Sequence, residues 1–352
     1  MAPVRPYTLW LVLPLLLTLL VGCSSRDSEI HRLEGAIFGT FYQISLNARL
    51  DDQRLDQLQQ GVEAELELIN ASMSTYREES ELSRLNQQPV GEWMAISAEL
   101  MQVLQASQDI SAASDGAFDV TVGSLVNLWS FGPEARPLKA PEDTELQQRL
   151  SEIGWQSLEL DVDGLRARRT RNNYVDLSAI AKGHAVDRVS AFLKSQGLND
   201  HLVNIGGDLI ASGWRDNQQQ PWRIGVELPD SSQSQVARHI LSISNLSVAT
   251  SGDYRNYFEA DGQRYSHTID PRNGLPVQHN LASTTVLHPS NMLADGWATA
   301  LLVVGPDIAK QLAEQHGLMV LLLARTAEQG WESWASPALL AEYGEEQLKP
   351  LE

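Results

Sequence analysis

The sequence has a single cysteine, Cys23, among its 352 residues. One cysteine cannot form an intramolecular disulfide or a cysteine metal cluster, so the core must stabilise the fold. Basic residues are also scarce, because 26 Lys and Arg stand against 45 Asp and Glu, a formal net charge of −19. This charge argues against nucleic-acid binding and against adhesion to anionic lipid through a basic face. A polyanionic substrate would need local cations in order to bind.

Common catalytic motifs are missing as well. The chain has no Gly-x-Ser-x-Gly, no His-Glu-x-x-His, no Walker loop and no Gly-x-Gly-x-x-Gly fingerprint. The usual signatures of serine hydrolases, zinc proteases, NTPases and dinucleotide-binding enzymes are therefore absent. Gly206-Gly207-Asp208 follows a short apolar stretch and is consistent with either a tight turn or a backbone cradle for phosphate.

The first 23 residues have the pattern of an export signal. Arg5 precedes an apolar run from Leu9 through Leu20, which is short for a membrane span of about 20 residues. A basic start, an apolar core and small residues at a cleavage point are typical of secretory signals. The ending Leu20-Val21-Gly22-Cys23 resembles the bacterial lipobox, in which the chain is cut before a Cys that is then lipidated. The alternatives are an ordinary signal peptide or a short uncleaved anchor.

We therefore expect residues 1–22 to be a signal peptide and residues 23–35 to be a lipidated Cys23 with a polar tether. Each buried acyl CH₂ contributes about 0.8 kcal/mol, so several chains on one Cys would anchor the protein stably to a membrane. The expected location is the periplasmic face of the inner membrane. The outer membrane stays open, because Ser24 is not the Asp usually associated with inner-membrane retention.

The rest of the chain predicts an α+β fold with antiparallel sheets packed against helices. Apolar residues recur with a helical period over 51–70, 178–196 and 290–304, whereas 201–288 consists mostly of short strands broken by turn residues. Strands and helices do not alternate strictly, which favours the α+β class over a doubly wound sheet. The other predicted elements are helices at 97–113 and 146–153, strands at 36–46, 156–161, 165–170, 173–177, 317–324 and 330–334, and a surface loop at 130–141.

Asp295 and Thr299 are four residues apart in a predicted helix, so their side chains share one face. A carboxylate and a hydroxyl together make a hard, oxygen-only site of the kind that Mg²⁺ prefers. The alternative is structural: Asp295 would stabilise the positive end of the helix, and Thr299 would be a buried polar residue.

Three further residues have both a chemical and a structural interpretation. Asp176 precedes a predicted helix and is either its N-cap or part of a site. Lys182 is either a phosphate ligand or a solvated surface charge. His267 is either a general base, since histidine titrates near neutral pH, or a structural residue beside the turn that begins at Asp270.

Eight segments, in this order, resemble the FAD:protein FMN transferase family, also called ApbE. They cover most of residues 36–305 and imply one transferase domain over residues 36–345, an α+β body that holds FAD in a cleft. The segments are FGTFY (38–42), MSTYREESELSRLN (73–86), DGAFDVTVGSLVNLW (115–129), DLSAIAKGHAVDRV (176–189), VNIGGDL (203–209), SGDYRNYF (251–258), YSHTIDPRNGLPV (265–277) and ADGWATALLVVG (294–305).

The resemblance also implies residue roles. The residues that would contact FAD are Phe38, Tyr76, Ala117, Phe118, Asp119, Asp176, Lys182 and Ile269. Mg²⁺ would be held by the Ala179 carbonyl, Asp295 and Thr299, and His267 would be the catalytic base. The sequence departs from some family members at two positions. Ala298 stands where some members carry a metal-binding Asp, and Phe38 stands where some carry Met.

The implied reaction is Mg²⁺-dependent transfer of FMN from FAD to a Thr or Ser hydroxyl of a target protein, with release of AMP. Expected acceptors are flavoprotein subunits such as those of sodium-translocating quinone reductases and related redox pumps. Two alternatives remain at this point: a magnesium-dependent FAD pyrophosphatase, in which water replaces the hydroxyl, and a lipoprotein that binds FAD without chemistry.

Overall fold

The computed structural model describes most of the chain. The predicted signal peptide and Cys23 lie outside the described residues, and none of the described helices is both long and apolar enough to cross a bilayer. The described ranges are 29–134, 136–229, 237–254, 256–260, 262–328 and 330–351.

An eight-stranded sheet forms the centre of the described structure, and every neighbouring pair of its strands is antiparallel. Its strand order is β1-β2-β6-β7-β10-β13-β14-β15, and smaller sheets have the orders β3-β5-β4, β8-β9 and β11-β12. The strands are β1 (Ile30–Ile37), β2 (Thr40–Asn47), β3 (Met94–Ala95), β4 (Leu158–Asp161), β5 (Arg166–Arg169), β6 (His201–Ile205), β7 (Asp208–Ser212), β8 (Trp222–Glu227), β9 (Ala237–Ile243), β10 (Leu246–Gly252), β11 (Tyr257–Ala260), β12 (Gln263–Ser266), β13 (Leu281–His288), β14 (Met319–Arg325) and β15 (Trp331–Ala335).

Helices cover one face of this sheet. The central one, α7 (Asn291–Val304), packs against β10 and β13 and against helix α6 (Ala181–Ser195), which in turn contacts α1 (Asp52–Met73). Eleven of the fourteen residues of α7 are buried, and they lie on all sides of the helix, as expected for a helix enclosed by other elements. The helices are α1 (Asp52–Met73), α2 (Glu81–Gln87), α3 (Ala98–Ala113), α4 (Gly123–Leu128), α5 (Asp143–Glu152), α6 (Ala181–Ser195), α7 (Asn291–Val304), α8 (Pro306–Gln315) and α9 (Pro337–Gln347), with a 3₁₀ turn at Trp155–Ser157.

Both faces of the central strands are buried. In β10, Ala249 packs with the helical core, whereas its neighbour Val248 packs with a second cluster that includes the β8–β9 hairpin and α9. In β13, likewise, Val286 packs with the helical core and Leu287 packs with the second cluster. Successive side chains of a strand point to opposite faces, so continuous apolar runs make a sheet that is covered on both sides.

The predicted α+β class with antiparallel sheet is confirmed, and several predicted boundaries are wrong. The segment 36–46 forms the ends of two strands joined at Phe38-Gly39, and β1 begins at Ile30, inside the segment expected to be tether. Residues 173–177 form no strand, because only Tyr174 makes a bridge, to Val122. Helix α6 begins at Ala181 and not at Ser178, so Asp176 is not its N-cap.

Candidate active site

A cleft of about 1020 Å³ opens between the helical layer, the turns of the main sheet and the segment around Ile269. This volume is at the upper end of the range for sites that bury a small-molecule ligand. All twelve residues for which the family resemblance implies an FAD, metal or catalytic role line it: Phe38, Tyr76, Ala117, Phe118, Asp119, Asp176, Ala179, Lys182, His267, Ile269, Asp295 and Thr299.

The strongest electrostatic feature of the cleft is a cluster of Lys182, Asp208 and Asp295. The Lys182 ammonium forms an ion pair with Asp208 and lies 3.4 Å from Asp295 Oδ2. Asp295 Oδ2 also accepts a hydrogen bond of 3.0 Å from the Gly183 backbone N–H. The two carboxylates are almost fully buried, at 4% and 5% side-chain exposure, whereas the lysine side chain is 34% exposed to the cleft.

Burial and charge act in opposite directions on this cluster. Burial raises the pKa of Asp295 to about 7, and the Lys182 ammonium opposes that rise. Burial by itself would lower the pKa of Lys182, but the Asp208 and Asp295 carboxylates outweigh it and hold the pKa above its ordinary value. Lys182 therefore stays protonated, and its single positive charge lies between two buried acidic side chains. The cluster can accommodate a further cation.

The oxygen atoms that could hold such a cation are contributed by one face of α7 and its surroundings. Thr299 follows Asp295 by one helical turn, and its hydroxyl lies 3.1 Å from the Ser251 hydroxyl. Ala179 lines the same cleft just before α6. Carboxylate, hydroxyl and carbonyl oxygens are the donors that Mg²⁺ prefers, so this donor set fits magnesium. Among the described residues, no group of three or more His, Cys, Asp and Glu side chains offers an alternative metal site.

His267 follows β12 directly and is half-buried in the cleft. Its backbone N–H and its ring Nδ1 each lie 3.0 Å from the Asn256 carbonyl oxygen. Because a carbonyl can only accept, Nδ1 carries the proton, and Nε2 keeps the lone pair. Burial lowers the pKa of His267, opposed by the Asn256 carbonyl. The imidazole is therefore neutral near pH 7 and can accept a proton at Nε2.

Phe38 reaches the cleft from the turn between β1 and β2. Ile37 pairs with Thr40 across a two-residue turn in which Phe38 has φ 52° and Gly39 has φ 71°. Two positive φ values in a two-residue hairpin loop define a type I′ turn, which matches the twist of the flanking strands. The left-handed conformation costs energy for Phe38, and the turn holds its ring at the edge of the site.

The segment from Ala117 to Asp119 is fixed by the Asp119 carboxylate. One oxygen of this carboxylate accepts from the backbone N–H and the hydroxyl of Thr121, both at 2.7 Å, and the other accepts from Trp155 N–H at 2.8 Å. Burial raises the pKa of Asp119, and these donors oppose the rise. Asp119 therefore joins the 117–121 segment to the 3₁₀ turn and presents Ala117 and Phe118 along the wall of the cleft.

Three other predicted residues occupy different parts of the cleft. Asp176 is buried, and its Oδ1 accepts a 2.8 Å hydrogen bond from Ser178 N–H, in a turn that precedes α6. Tyr76 lies at the rim with 73% exposure. Ile269 is buried in the aromatic cluster of Trp129, Phe258 and Tyr265 and forms part of the floor.

Sequence reasoning missed two contributors to the cleft. Asp208 follows the Gly206-Gly207 turn and carries the main ion pair to Lys182, although Gly-Gly-Asp by itself predicted only a turn or a phosphate cradle. Ser251 begins one of the segments that resemble the family, but its contact with Thr299 depends on the packing of β10 against α7. Ala298, by contrast, is fully buried in the helical core.

Comparisons with known proteins agree with this geometry. The sequence model of the ApbE family matches residues 38–322. The chain belongs to the ApbE family. It is 42% identical to the FAD:protein FMN transferase of Vibrio cholerae serotype O1, covering 93% of this chain and 96% of that one. It is 38% identical to the protein of the same name from Haemophilus influenzae, covering 90% and 92%.

Solved ApbE structures share the fold. The flavin transferase ApbE of Vibrio cholerae superposes with a TM-score of 0.81 at 40% identity, covering 89% of this chain and 99% of that one. The apo form of the Pseudomonas stutzeri flavinyl transferase ApbE gives a TM-score of 0.82 at 36% identity, covering 90% and 98%. The ApbE family thus accounts for both the chain order of the motifs and the architecture that gathers them.

Proposed function

We propose that this chain is an FAD:protein FMN transferase. The observation that carries the proposal is that a buried carboxylate–lysine cluster and a neutral histidine lie in one cleft, together with the residues that resemble the family's FAD contacts. ApbE relatives named for this activity match over almost the whole chain.

The acceptor supplies the nucleophile in this proposal. The hydroxyl oxygen of a Thr or Ser of the target protein attacks the phosphorus of the FMN half of FAD, forming a phosphoester bond. The bond from that phosphorus to the bridging oxygen breaks, and AMP leaves with the electron pair. His267 Nε2 takes the hydroxyl proton, which fits its lone pair and its lowered pKa.

Charge neutralisation is the second requirement, because the pyrophosphate is anionic and the protein carries a net charge of −19. Lys182 supplies one positive charge on the cleft wall. Asp295, Thr299 and the Ala179 carbonyl would hold Mg²⁺, which when bound offsets charge on phosphate oxygens. Phe38, Tyr76, Ala117, Phe118, Asp119, Asp176 and Ile269 would bind and orient FAD.

One experiment separates this function from its alternatives. The form of the chain that starts at Ser24 is incubated with FAD, Mg²⁺ and a flavin-accepting domain of a sodium-translocating quinone reductase, then denatured and separated on a gel. We expect flavin fluorescence on the acceptor and none on an acceptor whose Thr is replaced by Val. A dark acceptor with accumulating FMN and AMP would identify a pyrophosphatase, and intact FAD would identify a binding protein.

We also propose that Cys23 carries the lipid anchor and that the catalytic body faces the periplasm from the inner membrane. The lipobox-like ending of the apolar run supports this location. Fractionation of cells tests it: the full chain is expected with the inner membrane, and Cys23→Ser is expected to lose its lipid. Equal membrane association and lipid labelling of both forms would contradict the anchor.

A further inference from the structure

Asp187 lies on α6, where this helix packs against α7. Helix α6 carries Lys182 of the ion-pair cluster, and α7 carries Asp295. Asp187 is half-buried and is not among the residues that line the cleft. Its carboxylate accepts three hydrogen bonds from the start of α7: from the Ser290 hydroxyl at 2.7 Å, from Asn291 N–H at 2.8 Å and from Met292 N–H at 3.0 Å. The partners are more than a hundred residues away in the sequence.

These donors are chemically important for α7. The first backbone N–H groups of a helix have no partner within the helix, and a carboxylate there also meets the positive end of the helix dipole. Ser290 caps α7 locally, since its hydroxyl oxygen accepts from Leu293 N–H at 3.4 Å. Asp187 therefore adds a second, charged cap that comes from another helix.

The two helices approach closely at the same place. A Cβ atom on Gly183 would lie 2.4 Å from the Asn291 carbonyl oxygen and 2.8 Å from Asp295 Cβ, so only glycine permits this spacing. The Gly183 N–H then donates to Asp295 Oδ2. The start of α7 is tied to the sheet as well, because the Asn291 side-chain amide donates to the Leu209 carbonyl at 2.7 Å.

We propose that Asp187 is a positioning residue for the transfer reaction. By fixing the first turn of α7 against α6, it sets Asp295 and Thr299 against Lys182 and Gly183. The link from Asp187 to catalysis rests on the proposed function. The contact between Asp187 and the start of α7 does not depend on that function. Loss of Asp187 frees the start of α7 without removing any group that lines the cleft.

The test compares Asp187→Ala with Asp51→Ala in the full chain. Asp51 is a matched control, because its carboxylate also caps a helix, accepting from Arg54 N–H at 2.8 Å, but on α1. Hydrogen–deuterium exchange is read at the Gly183 and Met292 amides, and the Mg²⁺ concentration for half-maximal FMN transfer is measured in parallel.

For Asp187→Ala we expect exchange at Gly183 and Met292 to rise by about tenfold, the size of effect that the loss of one helix cap produces. The half-saturating Mg²⁺ concentration should rise with it, and Asp51→Ala should change neither. Unchanged Gly183 exchange in Asp187→Ala, or an equal rise in Asp51→Ala, would overturn the proposal.

A second variant covers a failure of Asp187→Ala to fold. Asp187→Asn keeps the side-chain volume but has one acceptor oxygen for three donors, so exchange at Gly183 should still rise. Wild-type exchange in that variant would overturn the proposal. If the wild-type chain transfers no FMN, the proposed function and the catalytic part of this role fail, and the exchange measurement alone decides whether Asp187 fixes the start of α7 against α6.

Discussion

At the scale of single residues, the environment of His267 favours a general base over a purely structural histidine. The Asn256 carbonyl fixes the proton on Nδ1, and burial lowers the pKa of the ring. A histidine on the surface would titrate near 6.5 and have no fixed tautomer. Here the tertiary contacts leave Nε2 unprotonated, so that it can accept a proton, without any substrate bound.

The pH dependence of transfer should report this histidine. A base must be neutral, so the rate falls as pH drops through its pKa, and a lowered pKa moves that fall below 6.5. We expect the acid limb of kcat, at saturating FAD and Mg²⁺, to have its midpoint below pH 6.5. His267→Asn should lower transfer by about a hundredfold or more, retain FAD binding and abolish that limb. A midpoint above 6.5, or unchanged transfer in His267→Asn, would contradict the assignment.

Asp295 should be essential for turnover but not for folding. Asp295→Asn removes the charge of the proposed metal ligand but preserves the side-chain volume, and Lys182 keeps its ion pair with Asp208. We expect transfer to fall by about a hundredfold or more, since charge stabilisation in phosphoryl transfer depends on the metal. Thermal unfolding should change little. Full activity in this variant would remove Asp295 from the metal site.

At the scale of elements, the β1–β2 hairpin determines where Phe38 stands. The tight turn follows from a local sequence feature, Phe-Gly between two β-rich segments, and its geometry requires positive φ at both central residues. The sequence predicted one strand over 36–46, because a two-residue turn leaves almost no break in the β-rich pattern.

Substitution of Gly39 tests the link between this turn and flavin binding. Gly39→Val should destabilise the fold by about 1–2 kcal/mol, the cost of a left-handed L-residue, and should weaken FAD binding by displacing Phe38. Gly91→Val is the matched control, because Gly91 has φ 89°, has no atom within 4 Å of its would-be Cβ and does not line the cleft. It should lose similar stability in thermal unfolding and keep its FAD affinity. Equal losses of affinity in both variants would disprove a local role for the turn.

The start of helix α6 differs from the start that its apolar pattern predicts. Its apolar period continues back to Ser178, yet the helix begins at Ala181. Asp176 accepts from Ser178 N–H, and Ile180 has φ −149°, so the preceding residues form a turn. A side chain that hydrogen-bonds to a nearby backbone group competes with helix formation. The spacing of apolar residues gives no sign of such a bond, so it cannot predict where the helix starts.

At the scale of the whole molecule, a strongly acidic protein must bind an anionic flavin nucleotide. The net charge of −19 repels FAD over several ångströms, while Lys182 attracts it only within the cleft. Salt screens the long-range repulsion from the net charge more than it screens the attraction by Lys182 inside the cleft.

Association kinetics should show this balance. We expect the FAD on-rate, measured by stopped-flow fluorescence without Mg²⁺, to increase when NaCl is raised from about 10 mM to about 150 mM, as the Debye length shortens from about 30 to about 8 Å. A neutral flavin such as riboflavin serves as the control and should show little change. An FAD on-rate that falls with salt would mean that local basic groups dominate the encounter.

The sequence by itself determined the features that depend on local spacing. One cysteine excluded intramolecular disulfides, the lack of strict strand–helix alternation favoured an α+β fold, and the four-residue spacing of Asp295 and Thr299 placed both on one helix face. The motifs and their order also indicated the family. The first three follow from composition and periodicity, whereas the family was indicated by the resemblance of whole segments, and both are readable along the chain.

Only the tertiary structure decided which of these residues act together. Lys182 meets Asp208 across 26 residues and Asp295 across 113, and Asp187 reaches the start of α7 across more than a hundred. Contacts at such separations arise from sheet order and helix packing, which no local pattern contains. The same burial that creates them raises the pKa of Asp295 and lowers that of His267, so the chemistry of the cleft follows from the packing around it.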